Sequence, residues 1–216
     1  SGFTSTLQNV GQTRNTGLEL GHSTVNLDNW HGVRWSSDLN WNKQRNEIVA
    51  LQNGSQQNLL NVWFVGQPIN IPNDGQHQVF YDYRSQGVWQ FADTALMKQF
   101  NSTGSTFKVG QPRVADLNGD GKIDVNDRTI IGTSYPKWTA SLSNRVSYRG
   151  FDLAALVTVK WKYTFVDGTP RGMNGRNGNI VMDYWTPENP TNKNPAPQAP
   201  NSGNTWQYQS TMLYTD

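Results

Sequence analysis

Residues 151–165 read FDLAALVTVKWKYTF. Every second side chain in this stretch is apolar or aromatic, and these side chains are Phe151, Leu153, Ala155, Val157, Val159, Trp161, Tyr163 and Phe165. The positions between them carry Asp152, Thr158, Lys160, Lys162 and Thr164, with Ala154 and Leu156 as exceptions. Because successive side chains of a β-strand point to opposite faces of the sheet, this alternation predicts a long strand with one apolar and one polar face.

Three further segments alternate and complete two predicted hairpins, at residues 13–49 and 138–166. The clearest places Val33, Trp35, Ser37, Leu39 and Trp41 on one face, and Arg34, Ser36, Asp38, Asn40 and Asn42 on the other. A weaker one covers residues 16–25, and the turn between these two is predicted over residues 26–32. In the fourth, Trp138, Ala140, Leu142, Val146 and Tyr148 share a face with Asn144, and a short Arg149-Gly150 turn follows.

Segments 50–137 and 167–216 lack the alternation and are predicted to be loops. They are rich in Asn, Gln, Gly and Pro, interrupted by aromatic clusters. The short turns therefore lie at one end of the predicted strands and the long loops at the other, which is the asymmetry of outer-membrane barrels. Three of the four strands also reach the roughly 9–11 residues that a membrane-spanning strand needs.

These features predict an all-β fold and leave two architectures open. The first is an antiparallel transmembrane β-barrel segment with long extracellular loops, located in the bacterial outer membrane. The interfacial aromatic rows would hold Trp35 and Trp41, or Phe151, Trp161, Tyr163 and Phe165. A soluble, secreted, calcium-stabilised β-sandwich that binds carbohydrate is the alternative, because a period of two suits either fold. The two differ in one respect: the barrel exposes Phe151, Leu153, Val157, Val159 and Trp161 to lipid, and the sandwich buries them under a second sheet.

The composition excludes several classes of protein. The 216 residues carry a net charge of +2 without a basic cluster, which argues against a nucleic-acid partner. The absence of cysteine excludes disulfides and thiolate metal sites. Charged residues make up only 16% of the chain and aromatic residues 12%, which is unlike the composition of a disordered chain.

Residues 116–127, DLNGDGKIDVND, follow the pattern of a calcium-binding loop of the EF-hand type. The predicted ligands are the side chains of Asp116, Asn118, Asp120, Asp124 and Asp127 and the backbone carbonyl of Lys122. Gly121 permits the sharp turn, and Ile123 is expected to pack beneath the loop. The twelfth position is Asp where Glu is usual, and the flanks offer at most one helical turn, at 126–131, so we predict a structural Ca2+ in an external loop rather than a sensor.

No catalytic constellation emerges, and we predict that the chain is not an enzyme. The three histidines are isolated, and the acidic residues do not form a recognisable pair. For binding, the aromatic residues of the long loops could stack on sugar rings or contact a partner protein, or could instead form the cores of the loops themselves. These candidates are Trp63, Phe64, Tyr81, Tyr83 and Trp89.

The chain resembles the C-terminal barrel region of SusC/RagA-type TonB-linked outer-membrane transporters. The stretches that carry the resemblance, in order, are 9–20 (NVGQTRNTGLEL), 35–41 (WSSDLNW), 65–68 (VGQP), 87–90 (GVWQ), 116–132, 148–153 (YRGFDL) and 184–192 (YWTPENPTN). They cover most of the chain, and their joint occurrence is specific.

The resemblance implies active import of glycans or peptides through a large barrel, powered through TonB. It implies a SusD-like surface lipoprotein as partner and outer-membrane lipid around the barrel. The plug, the TonB box and the aromatic final strand of that family have no counterpart in this sequence, and four strands cannot close a barrel. We therefore expect the sequence to be a piece of a longer polypeptide.

Overall fold

The computed structural model describes residues 11–70, 79–166, 183–197, 208 and 214–215. Its strands are β1 (Gly11–Trp30), β2 (Val33–Leu51), β3 (Gln57–Asn58), β4 (Trp63–Phe64), β5 (Val79–Tyr83), β6 (Ser85–Val88), β7 (Pro112–Val114), β8 (Arg128–Thr133), β9 (Trp138–Tyr148), β10 (Phe151–Trp161), β11 (Phe165–Val166) and β12 (Tyr214–Thr215). One α-helix, α1 (Thr94–Ser102), and short 3-10 turns at Gln52–Gly54, Phe91–Asp93 and Val125–Asp127 complete the elements. Much of the segment 167–216, which was predicted to be a loop, lies outside the described residues.

Four long strands form one antiparallel sheet in the order β1-β2-β9-β10. Both hairpins turn within two residues. His31 and Gly32 have φ of 48° and 86°, and Arg149 and Gly150 have φ of 47° and 85°. Positive φ at both central residues is the signature of the type I′ turn, whose twist matches that of the flanking strands. The turns therefore lock the register of each hairpin.

The sheet confirms the two predicted hairpins and corrects their limits. The turn predicted over residues 26–32 is only the His31–Gly32 pair, because β1 continues through irregular pairing to Trp30. At the other end β2 extends to Leu51. The face predicted from Phe151 to Phe165 ends earlier, since Lys162 has a positive φ of 50° and β10 stops at Trp161. The proposed positions of Tyr163 and Phe165 in an aromatic row of this strand are therefore wrong.

The chain clusters into two compact units. The first contains the four-stranded sheet together with β3 and β4, and the second contains residues 80–132 and the segment from 165 onward. The second unit has its own core, formed by Tyr83, Trp89, Met97, Phe100, Phe107, Val114, Ile123 and Tyr208. Helix α1 was not predicted, and it contributes Met97 and Phe100 to this core from one turn of its buried face.

Within the described residues, no helix is both long and apolar enough to cross a membrane.

Candidate functional site

The register of the sheet assigns every strand residue to one of two faces. Directly paired residues of antiparallel strands lie on the same face. Val157 pairs with Leu142, Leu142 with Leu39, and Leu39 with His22. The apolar face therefore runs across all four strands and consists of Phe151, Leu153, Ala155, Val157, Val159 and Trp161 of β10; Trp138, Ala140, Leu142, Asn144, Val146 and Tyr148 of β9; Val33, Trp35, Ser37, Leu39 and Trp41 of β2; and Leu18, Leu20, His22, Thr24, Leu27 and Trp30 of β1.

This apolar face is open. Phe151 is 81% exposed, Leu153 68% and Val157 56%. The sandwich alternative required these side chains to lie beneath a second sheet, and it is therefore wrong. A contiguous apolar surface of this kind is unusual on a protein in water and marks contact with another apolar phase.

The dimensions of the face match a bilayer. Strand β10 has 11 residues; its ten steps of about 3.4 Å give about 34 Å, and a tilt of roughly 40° reduces this to a height of about 26 Å. The apolar band of outer-membrane barrels is about 25 Å tall. The strand is thus long enough to cross the hydrocarbon layer once.

Aromatic side chains mark both limits of the band. At the open end, the Trp138 and Trp161 rings stack with centroids 5.8 Å apart and planes at 17°. At the turn end lie Phe151, Tyr148 and Trp30, and the guanidinium of Arg149 sits 5.0 Å from the centre of the Tyr148 ring. Aromatic rings at both edges of an apolar band are typical of the two membrane–water interfaces.

One polar cluster interrupts the apolar face. Asn144 Oδ1 accepts hydrogen bonds from Trp35 Nε1 at 3.1 Å and from Ser37 Oγ at 2.7 Å. Asn26 Nδ2 in turn donates to Ser37 Oγ at 2.6 Å. Polar groups in hydrocarbon are costly unless they are hydrogen-bonded. The cluster pairs its groups with one another, so the polar exception in the alternation of β9 is compatible with an apolar surrounding.

The opposite face is polar. A shallow cavity of about 450 Å3 lies in it, and its lining includes Glu19, Gly21, Asn40, Asn42, Thr139, Ser141 and Thr158. Asn42 Nδ2 donates to Glu19 Oε1 at 2.8 Å across the strands. Hydroxyl and amide groups of this kind suit a water-filled lumen.

Most of the aromatic residues predicted to contact a ligand form the cores of loops. Trp89 is 1% exposed, and Phe64 and Tyr83 are each 8% exposed. Trp63 and Tyr81 are half-buried, and Trp63 Nε1 donates to the carbonyl of Asn70 at 2.6 Å. A contact role for Trp63 and Tyr81 stays a prediction, whereas the other three side chains are covered by the protein.

In the second unit, hydrogen bonds join two segments that are distant in sequence, residues 88–110 and residues 185–196. Trp185 Nε1 donates to Gln90 Oε1 at 2.8 Å. Asn192 Oδ1 accepts from the amide of Val88 at 3.1 Å and from Gln90 Nε2 at 3.2 Å. The amide of Ala196 donates to the carbonyl of Gly110 at 2.7 Å. The motifs at 87–90 and 184–192, each noted separately in the sequence, are therefore two halves of one structure.

The loop at 116–127 wraps around its own backbone. Asp116 accepts from the amides of Gly119 at 2.7 Å and Gly121 at 2.9 Å. Asp127, which is fully buried, accepts from the amides of Leu117 and Asp124, both at 2.8 Å. Gly121 has a φ of 77°, a left-handed conformation that glycine adopts without strain. The first and last predicted ligands thus tie the beginning, middle and end of the loop together.

Neighbouring elements hold the loop from outside. Thr103 Oγ1 donates to the carbonyl of Gly121 at 2.9 Å, and Tyr208 OH donates to the carbonyl of Ile123 at 3.1 Å. Ile123 is buried in the core of the second unit, as predicted. The helical turn predicted at 126–131 is instead the short 3-10 turn Val125–Asp127, followed by strand β8.

The predicted ligands supply the right chemistry for calcium but are not gathered around one point. Ca2+ is bound by six to eight oxygen atoms, and this loop offers carboxylate, amide and carbonyl oxygens in the required order. Yet among the described residues no group of three or more His, Cys, Asp or Glu side chains is arranged to hold a metal ion. Calcium binding by Asp116, Asn118, Asp120, Lys122, Asp124 and Asp127 stays a prediction.

The pKa values of two described groups of the second unit differ from their ordinary values. Burial raises the pKa of Tyr208 to about 12, helped by the nearby Tyr83 and the carboxylates of Asp127 and Asp124. A hydrogen bond from Asn189, with further bonds from Thr191 and Lys193, lowers the pKa of the Asp183 carboxyl. Both groups form hydrogen bonds that hold loop segments.

Sequence reasoning missed the residues that hold the loops. Gln90, Asn192, Thr103 and Tyr208 form bonds across about 18 to 104 positions of sequence. Their residue types are common in loops, and a single sequence gives no sign of such long-range pairing. The sequence showed only that two separate motifs, at 87–90 and 184–192, are present.

The chain is similar in sequence to a group of TonB-dependent receptors. Three proteins of Formosa agariphila are similar to it: TonB-dependent receptor P3 (27% identical over 201 residues), receptor P26 (27% over 205 residues) and receptor P39 (26% over 179 residues). The matches cover 90%, 90% and 70% of this chain and 19%, 20% and 17% of those proteins. The chain thus spans about a fifth of the length of these relatives. No model of a known protein family matches it.

The fold has a counterpart among solved structures. A chain in the structure of the RagAB peptide transporter matches with a TM-score of 0.59 and 20% sequence identity, over 99% of this chain and 22% of that chain. At this identity the likeness concerns the fold. Together with the related receptors it supports the resemblance stated from the sequence: the chain is similar to a segment of TonB-dependent receptors.

Proposed function

We propose that this chain is a stretch of the barrel wall of a TonB-dependent transporter that imports nutrients across the bacterial outer membrane. The observation that carries the proposal is the two-faced sheet. One face is apolar, open, about as tall as the hydrocarbon layer and edged by aromatic rings, and the other is lined with hydroxyl and amide groups. The similarity to TonB-dependent receptors supports the same reading.

In this proposal the tight turns at His31–Gly32 and Arg149–Gly150 face the periplasm. The second unit, with its own aromatic core, then forms a folded external loop. A folded loop presents a defined surface to whatever approaches the mouth of the barrel. We propose a SusD-like surface lipoprotein as partner of this loop, with Tyr81 among its contacts or those of the substrate. In the first unit we propose a contact of the same kind for Trp63, and Leu60, which is 91% exposed, suits one as well.

The proposed substrates are oligosaccharides or peptides. The polar face supports either class, because its hydroxyl and amide groups can exchange hydrogen bonds with hydroxyls and with peptide groups alike. The similar structure is titled as a peptide transporter, which favours testing peptides alongside glycans. Coupling to TonB would depend on parts of the protein beyond this chain.

The experiment that tests the barrel wall compares two neighbouring residues in the full-length transporter. Val157 lies on the apolar face near the middle of β10, and Thr158 lies beside it on the polar face. Arginine at the bilayer midplane costs about 2–4 kcal/mol, or a roughly 30- to 900-fold change in the folding equilibrium. We expect Val157→Arg to lower the stability of the protein folded into lipid vesicles by that amount, and Thr158→Arg to have little effect.

The pair of variants keeps charge, size and position along the strand matched. Equal effects of the two substitutions would contradict the assignment of the faces. A full-length protein that fractionates as a soluble species would contradict the proposed location.

We also propose that Ca2+ binds the loop at 116–127. Four carboxylates lie within these twelve residues, and none of them takes part in an ion pair between described residues. A divalent cation would relieve this concentration of negative charge, with Asp116, Asn118 and Asp120 supplying side-chain oxygens. The ion would stabilise the loop.

Isothermal titration calorimetry of the full-length transporter with CaCl2 tests this proposal. We expect binding that is lost in Asp120→Asn and kept in Asp152→Asn, a matched loss of one carboxylate on the polar face of β10. Equal binding by both variants would show that calcium binds elsewhere. Absence of binding by the unaltered protein would show that the hydrogen bonds of the loop suffice to hold it.

A further inference from the structure

Beyond its aromatic edge, the apolar face of the sheet becomes positively charged. Along β2 the residues on this face continue from Trp41 to Lys43, Arg45 and Glu47. Register pairs Arg14 of β1 with Glu47, so Arg14 lies on the same face. We call Lys43, Arg45 and Arg14, together with Glu47, the basic patch.

The positive charge is confined to this face. At the same level the opposite face of β2 carries Asn42, Gln44 and Asn46, and that of β1 carries Asn15, Gly17 and the acidic Glu19. If the extended strands were simply solvated on both sides, either face could hold the cations. Their restriction to the side continuous with the apolar band indicates that this side meets an anionic surface.

The arginines are presented outward. The side chains of Arg14 and Arg45 are 60% and 64% exposed, whereas that of Glu47 is 16% exposed. Glu47 lies 2.6 Å from Arg45 and 4.0 Å from Arg14, so it serves both guanidinium groups. A guanidinium has five N–H donors and a carboxylate engages at most two of them, so most of the donors remain available. With three cations and one carboxylate, the patch keeps a net positive charge.

The heights of Lys43 and Arg45 fit the headgroup layer, whereas Arg14, which is level with Glu47, lies one step of about 5 Å further out. Each two-residue step along β2 rises about 7 Å, or about 5 Å after a tilt of roughly 40°. Lys43 then lies about 5 Å and Arg45 about 10 Å above Trp41, while the headgroup layer extends roughly 5–8 Å beyond the hydrocarbon. Long basic side chains bend toward the interface, which brings Arg45 into the same layer.

We propose that the basic patch binds the phosphate of an anionic lipid headgroup in the outer leaflet. The occupant is a lipid because the patch continues an apolar face that would hold the acyl chains, and a free anion would gain nothing from that continuity. Arginine and lysine are the side chains that recognise phosphate groups at membrane surfaces. The inference rests on the proposed membrane location of the sheet.

Native mass spectrometry of the full-length transporter in detergent micelles tests the site. The probes are phosphatidylglycerol, which is anionic, and phosphatidylcholine, which is zwitterionic. Each basic residue near an anionic surface adds about a five-fold gain in affinity. We therefore expect Lys43→Gln/Arg45→Gln to weaken phosphatidylglycerol binding on the order of 25-fold, with little change for phosphatidylcholine.

The matched control is Arg145→Gln/Lys160→Gln, which removes two cations from the polar face of the same sheet. Equal loss in both double variants would reflect net charge alone and overturn the site. Complete displacement of phosphatidylglycerol by inorganic phosphate would identify a free-anion site and overturn the lipid assignment. Unchanged lipid binding together with an intact contrast between Val157→Arg and Thr158→Arg would refute the basic patch while leaving the membrane location standing.

Discussion

Replacing Gly110 by alanine tests the docking of residues 183–197 onto the folded loop. A Cβ at Gly110 would lie 2.6 Å from Cε3 and 2.9 Å from Cζ3 of Trp185, and 3.1 Å from Cβ of Ala196. The φ of Gly110 is +84°, so alanine there is also strained in the backbone. The Trp185 ring cannot move away easily, because its Nε1 is bonded to Gln90 and its indole is only 7% exposed.

The expected cost has two parts. A left-handed conformation costs a non-glycine residue about 1–2 kcal/mol. Overpacking a close contact adds about 1–3 kcal/mol. Gly66 provides the control, since its φ is +83° and nothing lies within 4 Å of its Cβ position. Gly66→Ala should therefore lower the local stability by the backbone strain alone, about 1–2 kcal/mol. Gly110→Ala should lower it by about 2–5 kcal/mol, because strain and overpacking add.

Native-state hydrogen exchange of the full-length transporter measures these costs as local opening free energies. The amide of Ala196 reports on Gly110, because it donates to the carbonyl of Gly110, and the amide of Ile48, which donates to the carbonyl of Gln67 beside Gly66, reports on the control. A loss of about 3 kcal/mol would speed its exchange on the order of 150-fold. If Ala196 exchanged at the same rate in Gly110→Ala and in the unaltered protein, the close packing of the two segments would be refuted. If Gly66→Ala lowered the local opening free energy as much as Gly110→Ala, the contact with Trp185 would not contribute to the effect.

Two further predictions concern single side chains. The pKa of Tyr208 is about 12 in the folded protein and 10.0 ordinarily, so its contribution to stability should be constant below pH 10 and should fall as the pH rises from about 10 to 12. In an absorbance titration at 295 nm, the unaltered protein should show one tyrosine that ionises near pH 12, and Tyr208→Phe should lack it. Asn144→Leu should lower stability in vesicles by about 1–2 kcal/mol, because it leaves Trp35 Nε1 and Ser37 Oγ without an acceptor in the apolar phase. Adding Trp35→Phe removes one of these donors and should restore part of the loss; no recovery would show that the cluster is solvated.

The sheet could be read from the sequence because its strands have a strict period. Val33 to Trp41 and Phe151 to Trp161 alternate with only Ser37, Ala154 and Leu156 as exceptions, and register then follows from the two-residue turns. The ends of the strands were harder to place. Residues 43–47 of β2 are polar on both faces, so no alternation marks them, and backbone pairing with β1 alone extends the strand.

The second unit was predictable only in pieces. The loop at 116–127 can be recognised from the spacing of its oxygen-bearing side chains, and Ile123 packs in the core as expected. Helix α1 is nine residues long, so its pattern is too short to stand out. The burial of Phe64, Tyr83 and Trp89 depends on partners distant in sequence, which composition cannot reveal.

The pairing of Val88 with Asn192 across 104 positions orders events during synthesis. Both β9 and β10 lie between these residues, so the ribosome has made the whole second hairpin before Asn192 exists. The bond between Val88 and Asn192, and with it the closure of the folded loop, can therefore form only after both strands of the second hairpin have been synthesised.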